Sequence, residues 1–231
     1  MDAAASEHAA LVGWFEGAAI AAGFAATHPS RVDALIIGSF TAQTTGAGDE
    51  PWGIDPQVVA RIERLARDAW GTGEIAKLVA PSMASDARFL GFWGRYERMS
   101  ASPQTAERMI RWNNEIDIRA ILPAIRVPSL VVHRTHVNLV RTGAIRYVAE
   151  QIPGARYLDL PGQDIFPFVG DSDAILDAIQ QFLTGNSTPI DTDRRLATVL
   201  FTDIVNSTVH ADRLGDSGWA QLIAAHHKDG T

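Results

Sequence analysis

The sequence contains no cysteine among its 231 residues. Disulfide bonds, thiolate nucleophiles and cysteine-based metal sites are therefore excluded. The absence is compatible with a reducing compartment, and we expect a cytoplasmic protein. No lysine or arginine precedes the first apolar run, so a secretory signal is not predicted.

Basic residues are also in short supply. There are 20 Lys and Arg against 27 Asp and Glu, which gives a net charge of −7. This balance argues against a nucleic-acid partner, because binding to phosphates needs a basic face. The most apolar stretch, residues 9–26, carries Glu16 near its middle, so we expect a buried strand, a turn and a helix there instead of a membrane span.

Short apolar runs rich in branched residues predict four buried parallel strands, at Ala9–Phe15, Val32–Gly38, Ser129–His133 and Arg156–Leu160. Helical patterns follow three of these runs, at Gly17–Thr27, Gly143–Gln151 and Asp173–Leu183. Strands that alternate with helices in this way indicate an α/β fold with a parallel sheet and right-handed crossovers.

A long insertion, about residues 41–126, separates the second and third predicted strands. It is predicted to be helical, because Asp55-Pro56 and Ser102-Pro103 each place an N-cap before a proline at the first helical position. Aromatic residues are frequent here, and we expect them to pack in the core, although such an insertion is also placed to roof a pocket. They are Trp70, Phe89, Phe92, Trp93, Tyr96 and Trp112.

The segment Gly13-Trp14-Phe15-Glu16-Gly17 has the glycine spacing of a G-x-S-x-G nucleophile elbow between a strand and a helix. The two glycines are expected to let strand and helix approach closely around a strained central residue. That central residue is Phe15, whose side chain has no lone pair with which to attack carbon.

Two stretches, Val12–Phe40 and Val127–Leu183, resemble the α/β-hydrolase domain that some actinobacterial-type proteins fuse to a class III nucleotide cyclase. The matching phrases are FAATHPSRVDALIIGSF, IRVPSLVVHRT, AEQIPGARYLDLPG and FPFVGDSDAILDAIQQFL. The resemblance places the nucleophile on Phe15, the acid on Val137 and the base on Ile165, all of which are apolar. A triad shifted onto the neighbours Glu16, His136 and Asp164 is not expected, because one step along a tight turn aims a side chain elsewhere.

The same resemblance implies a partial fold, with the equivalents of strands five to eight and the helical cap. The strand at Ala9–Phe15 would then be an open apolar edge. From this we expect marginal stability alone, and a homodimer or another partner that covers the edge.

The segment from Ala197 to Thr208, with the later LGD, tryptophan and His-His motifs, resembles the start of a class III adenylate or guanylate cyclase. By that resemblance, Asp203 and the Ile204 carbonyl are vestigial metal ligands, for Mg²⁺ or Mn²⁺ in intact relatives. No cofactor is expected for this chain. The alternative for Asp203 is an ordinary turn residue.

The predicted organisation is a partial α/β-hydrolase domain at 1–183, a linker at 184–195 and a cyclase fragment at 196–231. The function expected from the resemblance is a non-catalytic remnant or regulatory portion of a hydrolase–cyclase fusion, whose family makes cyclic AMP from ATP. The alternatives are an esterase with an unrecognised site, or a pseudo-hydrolase that binds an apolar small molecule.

Overall fold

The computed structural model describes residues 1–44 and 53–185, together with Gly218. The predicted linker and cyclase fragment, with Asp203 and Ile204, therefore lie outside the described residues, apart from Gly185 and Gly218. The strands are β1 (Ala9–Trp14), β2 (Val32–Gly38), β3 (Ser129–Arg134) and β4 (Arg156–Leu160). The helices are α1 (Glu16–Thr27), α2 (Pro56–Asp68), α3 (Ala76–Val79), α4 (Ala87–Ser100), α5 (Pro103–Asn114), α6 (Thr142–Gln151) and α7 (Ser172–Thr184).

The four strands form one parallel sheet in the order β1-β2-β3-β4. The α/β class and the parallel sheet that the sequence predicts are therefore confirmed. Since all four strands run the same way, the segments that follow them meet at one edge of the sheet. That edge carries the predicted site.

Each face of the sheet buries a different set of side chains, because alternate residues of a strand point to opposite faces. Leu35, Ile37 and Val131 pack on the face covered by α1 and α6, in the larger core cluster. Ile36 and Val132 pack on the opposite face with Ile175 of α7.

Strand β1 lies at the edge of the described sheet, as the sequence predicts. Its residue Val12 leaves 55% of its surface exposed, whereas Leu35 and Ile36 of the neighbouring β2 are fully buried. An apolar edge of this kind is available for pairing with another strand.

The described part of the insertion is largely helical, as predicted, and we call residues 53–126 the cap. Asp55 and Ser102 both act as N-caps, through side-chain oxygens that accept from the backbone N–H groups of Gln57 and Thr105. Turns and short irregular segments connect these helices, and one isolated antiparallel bridge joins Gln43 to Asp117.

The aromatic residues of the cap are only partly in the core, so the sequence expectation needs a correction. Trp93 is buried, but Phe92, Tyr96 and Trp112 are 59%, 56% and 60% exposed. These three project from α4 and α5, and their helices turn other residues inward.

Among the described residues, no helix combines the length and the apolar character needed to cross a membrane. Residues 9–26 form β1, a turn and α1, as expected from Glu16, and α1 buries its alanines against the sheet.

Candidate functional site

The turn after β1 keeps the backbone of a nucleophile elbow. Phe15 has φ 52° and ψ −129°, a conformation that L-residues rarely adopt and that costs about 1–3 kcal/mol. A Cβ at Gly13 would lie 2.6 Å from the Cα of Ala18, so only glycine fits where strand and helix approach. The expected close approach at Gly17 is not found, because a Cβ there would meet nothing within 4 Å.

The base-equivalent residue Ile165 connects three parts of the site through its main chain. Its carbonyl oxygen accepts from the Trp14 indole N–H at 2.8 Å and from the Ser39 hydroxyl at 3.1 Å. Its own N–H donates to the carbonyl of Val79 in the cap at 2.9 Å. Ser39 directly follows β2 and has φ 45°, so the ends of β1 and β2 are both fixed to this loop.

The three positions that the sequence resemblance assigns to a triad, Phe15, Val137 and Ile165, all join one hydrophobic cluster. Val137 and Ile165 are 6% and 1% exposed, and the half-buried Phe15 packs against the same core cluster. A benzyl, an isopropyl and a sec-butyl group cannot accept or donate a proton. Acyl transfer through these three positions is therefore excluded by their chemistry.

The polar neighbours of these positions are engaged elsewhere. The carboxylate of Glu16 accepts from the Asn113 amide at 2.6 Å, on the exposed side of α5. The buried carboxylate of Asp164 accepts from the backbone N–H of Ser82 at 2.9 Å. His136 is exposed and lies 3.2 Å from the hydroxyl of Thr135. Glu16, Asp164 and His136 thus each have a different neighbour, in three separate hydrogen-bonding arrangements.

Sequence reasoning missed Arg134, the last residue of β3, which holds the loop that carries Ile165. Its side chain is buried, and burial lowers the pKa of its guanidinium, against the opposing effect of Asp164. The guanidinium donates to four backbone carbonyls of this loop, those of Asp164, Phe166, Val169 and Asp171. The charged end of β3 thus supports the loop backbone.

Sequence reasoning also did not single out His133, to which the structure gives a hydroxyl neighbour. His133 is fully buried on β3, and its Nε2 lies 3.3 Å from the Thr142 hydroxyl at the start of α6. Burial lowers the pKa of its imidazole. Within the described residues its Nδ1 has no hydrogen-bond partner, so the pair lacks the orienting acid of a catalytic triad.

Aromatic rings extend from the elbow towards the cap. The Phe15 and Phe166 ring centroids are 5.5 Å apart, and Phe166 also contacts Trp93 at 5.1 Å and Phe168 at 5.2 Å. These separations are those of interacting rings. We call Phe15, Phe166, Phe168 and Trp93 the aromatic ladder. Phe168 is 64% exposed, so the ladder reaches the surface.

Comparison with known proteins gives the fold and family. No family model matches the chain. A pimeloyl-(acyl-carrier protein) methyl ester esterase of Stenotrophomonas maltophilia is 30% identical over 189 residues, which cover 80% of this chain and 73% of that protein. The chain belongs to this α/β-hydrolase family. A Nitrosomonas europaea esterase of the same name is 27% identical over 164 residues, 69% of this chain and 65% of the relative.

Solved structures show the same α/β-hydrolase fold. The enol-lactonase of Burkholderia xenovorans aligns with a TM-score of 0.64 and 23% identity, over 80% of this chain and 68% of that one. A bromoperoxidase from Bacillus anthracis aligns with a TM-score of 0.70 and 17% identity, over 79% and 69%. Against the relatives and structures cited here, this α/β-hydrolase chain spans about two thirds to three quarters of their length.

These comparisons correct the function expected from the sequence. The relatives are named esterases, and none of those cited is a cyclase fusion, so the interpretation as a portion of a hydrolase–cyclase protein is wrong. The alternative of an α/β-hydrolase-type protein fits better. The proposed metal positions Asp203 and Ile204 are not tested, and the described residues contain no group of three or more His, Cys, Asp or Glu side chains suited to a metal.

Proposed function

We propose that this α/β-hydrolase homologue binds the apolar chain of an acyl ester or related acyl compound along the aromatic ladder, without hydrolysis at the elbow. The observation that carries the proposal is the position of Phe15. It occupies the strained elbow turn and directs its ring to Phe166. The nucleophile position is thereby part of an apolar surface.

The surroundings of the elbow support this proposal. Phe168 stacks on Phe166 while more than half of its own surface stays in water. An acyl chain that covered this ring would remove apolar area from water, which is favourable. The curated relatives are named for a methyl ester of a pimeloyl group, an acyl compound of the same chemical class.

A binding experiment with decanoate and methyl decanoate tests the proposal. We expect saturable binding, measured by calorimetry and by the fluorescence of Trp93, which is part of the ladder. Phe168→Ala removes the exposed ring and is expected to weaken binding about tenfold. Leu176→Ala on α7 is the matched control, since Leu176 is 59% exposed and belongs to neither core cluster.

The two variants also define the results that would contradict the binding proposal. Absence of saturable binding contradicts the proposal, and so does an equal loss of affinity in Phe168→Ala and Leu176→Ala. Methyl decanoate should remain chemically intact in the same samples, as followed by chromatography.

Ester hydrolysis at another position is the second candidate, favoured by the esterase relatives and by the contact between His133 and Thr142. If this pair acts as base and nucleophile, Thr142→Ala and His133→Gln each abolish release of p-nitrophenol from p-nitrophenyl butyrate. Thr135→Ala is the control, because Thr135 is exposed and lies beside a different histidine. Activity that survives both substitutions rules this pair out.

A further inference from the structure

Helix α4 presents a strongly apolar face to solvent. Phe92, Tyr96 and Met99 are 59%, 56% and 80% exposed. At 100° per residue, their side chains lie within an arc of about 60° on the helix. The opposite side of α4 holds Trp93, Gly94 and Glu97, which are buried. The exposed face is therefore a continuous apolar stripe, and we call these three residues the α4 stripe.

The charges beside the α4 stripe have one sign. Arg88 and Arg95 lie next to Met99 around the helix, within about 40° by the same geometry. Both are exposed, and neither forms an ion pair with a described acidic residue. Of the acidic groups of this element, Glu97 is buried, and Asp86 accepts from the backbone N–H groups of Arg88 and Phe89 as the helix N-cap.

We propose that the α4 stripe with Arg88 and Arg95 binds to a lipid surface that carries anionic headgroups. The occupant follows from charge complementarity, because exposed cations without acidic partners attract an anionic layer. Aromatic and methionine side chains on a single convex helix suit the boundary between headgroups and acyl chains. The net charge of the whole chain is −7, so this local positive face orients the protein with α4 towards the lipid.

Co-sedimentation of the full chain with phospholipid vesicles tests the inference. We expect binding to phosphatidylcholine vesicles that contain phosphatidylglycerol, weak binding to pure phosphatidylcholine, and a decrease as salt rises. Replacement of both arginines, R88Q with R95Q, is expected to weaken binding at least about tenfold. Replacement of the stripe by F92S, Y96S and M99S together is expected to abolish it.

The matched control replaces two exposed apolar residues elsewhere, with I20S on α1 and L176S on α7. Ile20 and Leu176 are 75% and 59% exposed. This control should bind vesicles like the parent chain. Circular dichroism establishes that each variant is folded before it is tested, and any variant that is not folded is replaced by F92S alone.

Three outcomes would overturn the inference: no preference for anionic vesicles, equal losses in the control and the stripe variants, or self-association of the parent chain that the stripe substitutions remove. The last result, seen by sedimentation velocity without lipid, would assign the face to contacts between copies.

Discussion

The elbow end of the sheet and the cap differ in how their side chains are used. At the strand ends, the side chains of Arg134, Ser39 and Trp14 donate hydrogen bonds to the backbone of the loop around Ile165. On the cap, Phe92 and Arg95 face solvent without such partners. The side chains of the first region are used within the fold, whereas the second region exposes apolar and basic side chains to solvent.

The largest expected effect is at Arg134. Arg134→Met leaves four backbone carbonyls, two of them in buried hydrogen bonds, without their charged donor, and we expect the free energy of unfolding to fall by about 4 kcal/mol. Urea denaturation measures this loss. Arg134→Lys should have a free energy of unfolding between those of the parent chain and Arg134→Met. The control, Arg141→Gln at an exposed position, should change it by less than about 0.5 kcal/mol. If Arg134→Met leaves the free energy of unfolding almost unchanged, the loop does not depend on the guanidinium.

The cap also contains a buried carboxyl side chain, that of Glu97, which supports backbone in the same way as Arg134 does at the strand ends. Glu97 accepts from the backbone N–H groups of Gly71 and Gly73 at 2.8 and 3.2 Å through one oxygen. Glu97→Ala should lower the free energy of unfolding by about 2–3 kcal/mol, because two buried donors lose their acceptor. Glu97→Gln keeps an acceptor oxygen and should cost less. If the two variants are equally destabilised, the negative charge itself matters more than the acceptor.

Substitutions of Phe15 at the elbow should have a smaller effect on stability, and glycine should be more stable there than alanine. Phe15→Ala removes the ring contact with Phe166 and keeps the strain of φ 52°. Phe15→Gly removes the ring and the strain together, so it should be more stable than Phe15→Ala by about 1–2 kcal/mol. Urea titration of both variants measures the difference. The usual order, with alanine above glycine, would mean that this turn relaxes out of the elbow conformation.

The smallest expected effects concern two histidines with opposite pH dependence. Burial lowers the pKa of His133 below its ordinary 6.5, so the unfolded chain binds more protons than the folded one between these two values. Its contribution to stability is complete above pH 6.5 and is lost as pH falls towards the lowered pKa.

The hydrogen bond and charge of Asp33 raise the pKa of His8, whose contribution is complete below 6.5 and is lost as pH rises through the raised pKa. Stability–pH curves of His133→Gln and His8→Gln, compared with the parent chain, test both signs. His133→Gln should reduce the slope of the stability–pH curve on its acidic side. His8→Gln should reduce the slope on the neutral-to-basic side. The same slope in all three proteins would remove both histidines as the cause.

Much of the sheet could be predicted from the sequence, because local patterns decide it. The runs Val32–Gly38 and Arg156–Leu160 are strands with the predicted bounds, and the other two differ by one residue at their C-terminal ends. Helix caps at Asp55 and Ser102 were also predicted, since a cap bonds to residues two or three positions away.

The candidate site was predictable only in part. Glycine spacing indicated the elbow, and the structure has it at Phe15. The roles of Arg134 and Glu97 could not be read from the sequence, because their partners lie 24 to 37 residues away along the chain. The exposure of Phe92 was missed because a helix crowded with aromatic residues does not reveal which of its sides meets the core.

The function expected from the sequence was wrong for a different reason. The hydrolase-like stretches and the short motif run at residues 197–208 together favoured a hydrolase–cyclase fusion. The relatives match over up to 190 residues, and their names concern esters. Length of similarity was the better guide to family.

The main chain of Ile165 joins β1, β2 and the cap through three hydrogen bonds, and none of them involves its side chain. Any amino acid other than proline at this position can make the same three bonds. The backbone frame at this end of the sheet is therefore insensitive to the side chain at residue 165. Side chains of quite different chemistry can be exchanged there while β1, β2 and the cap stay joined.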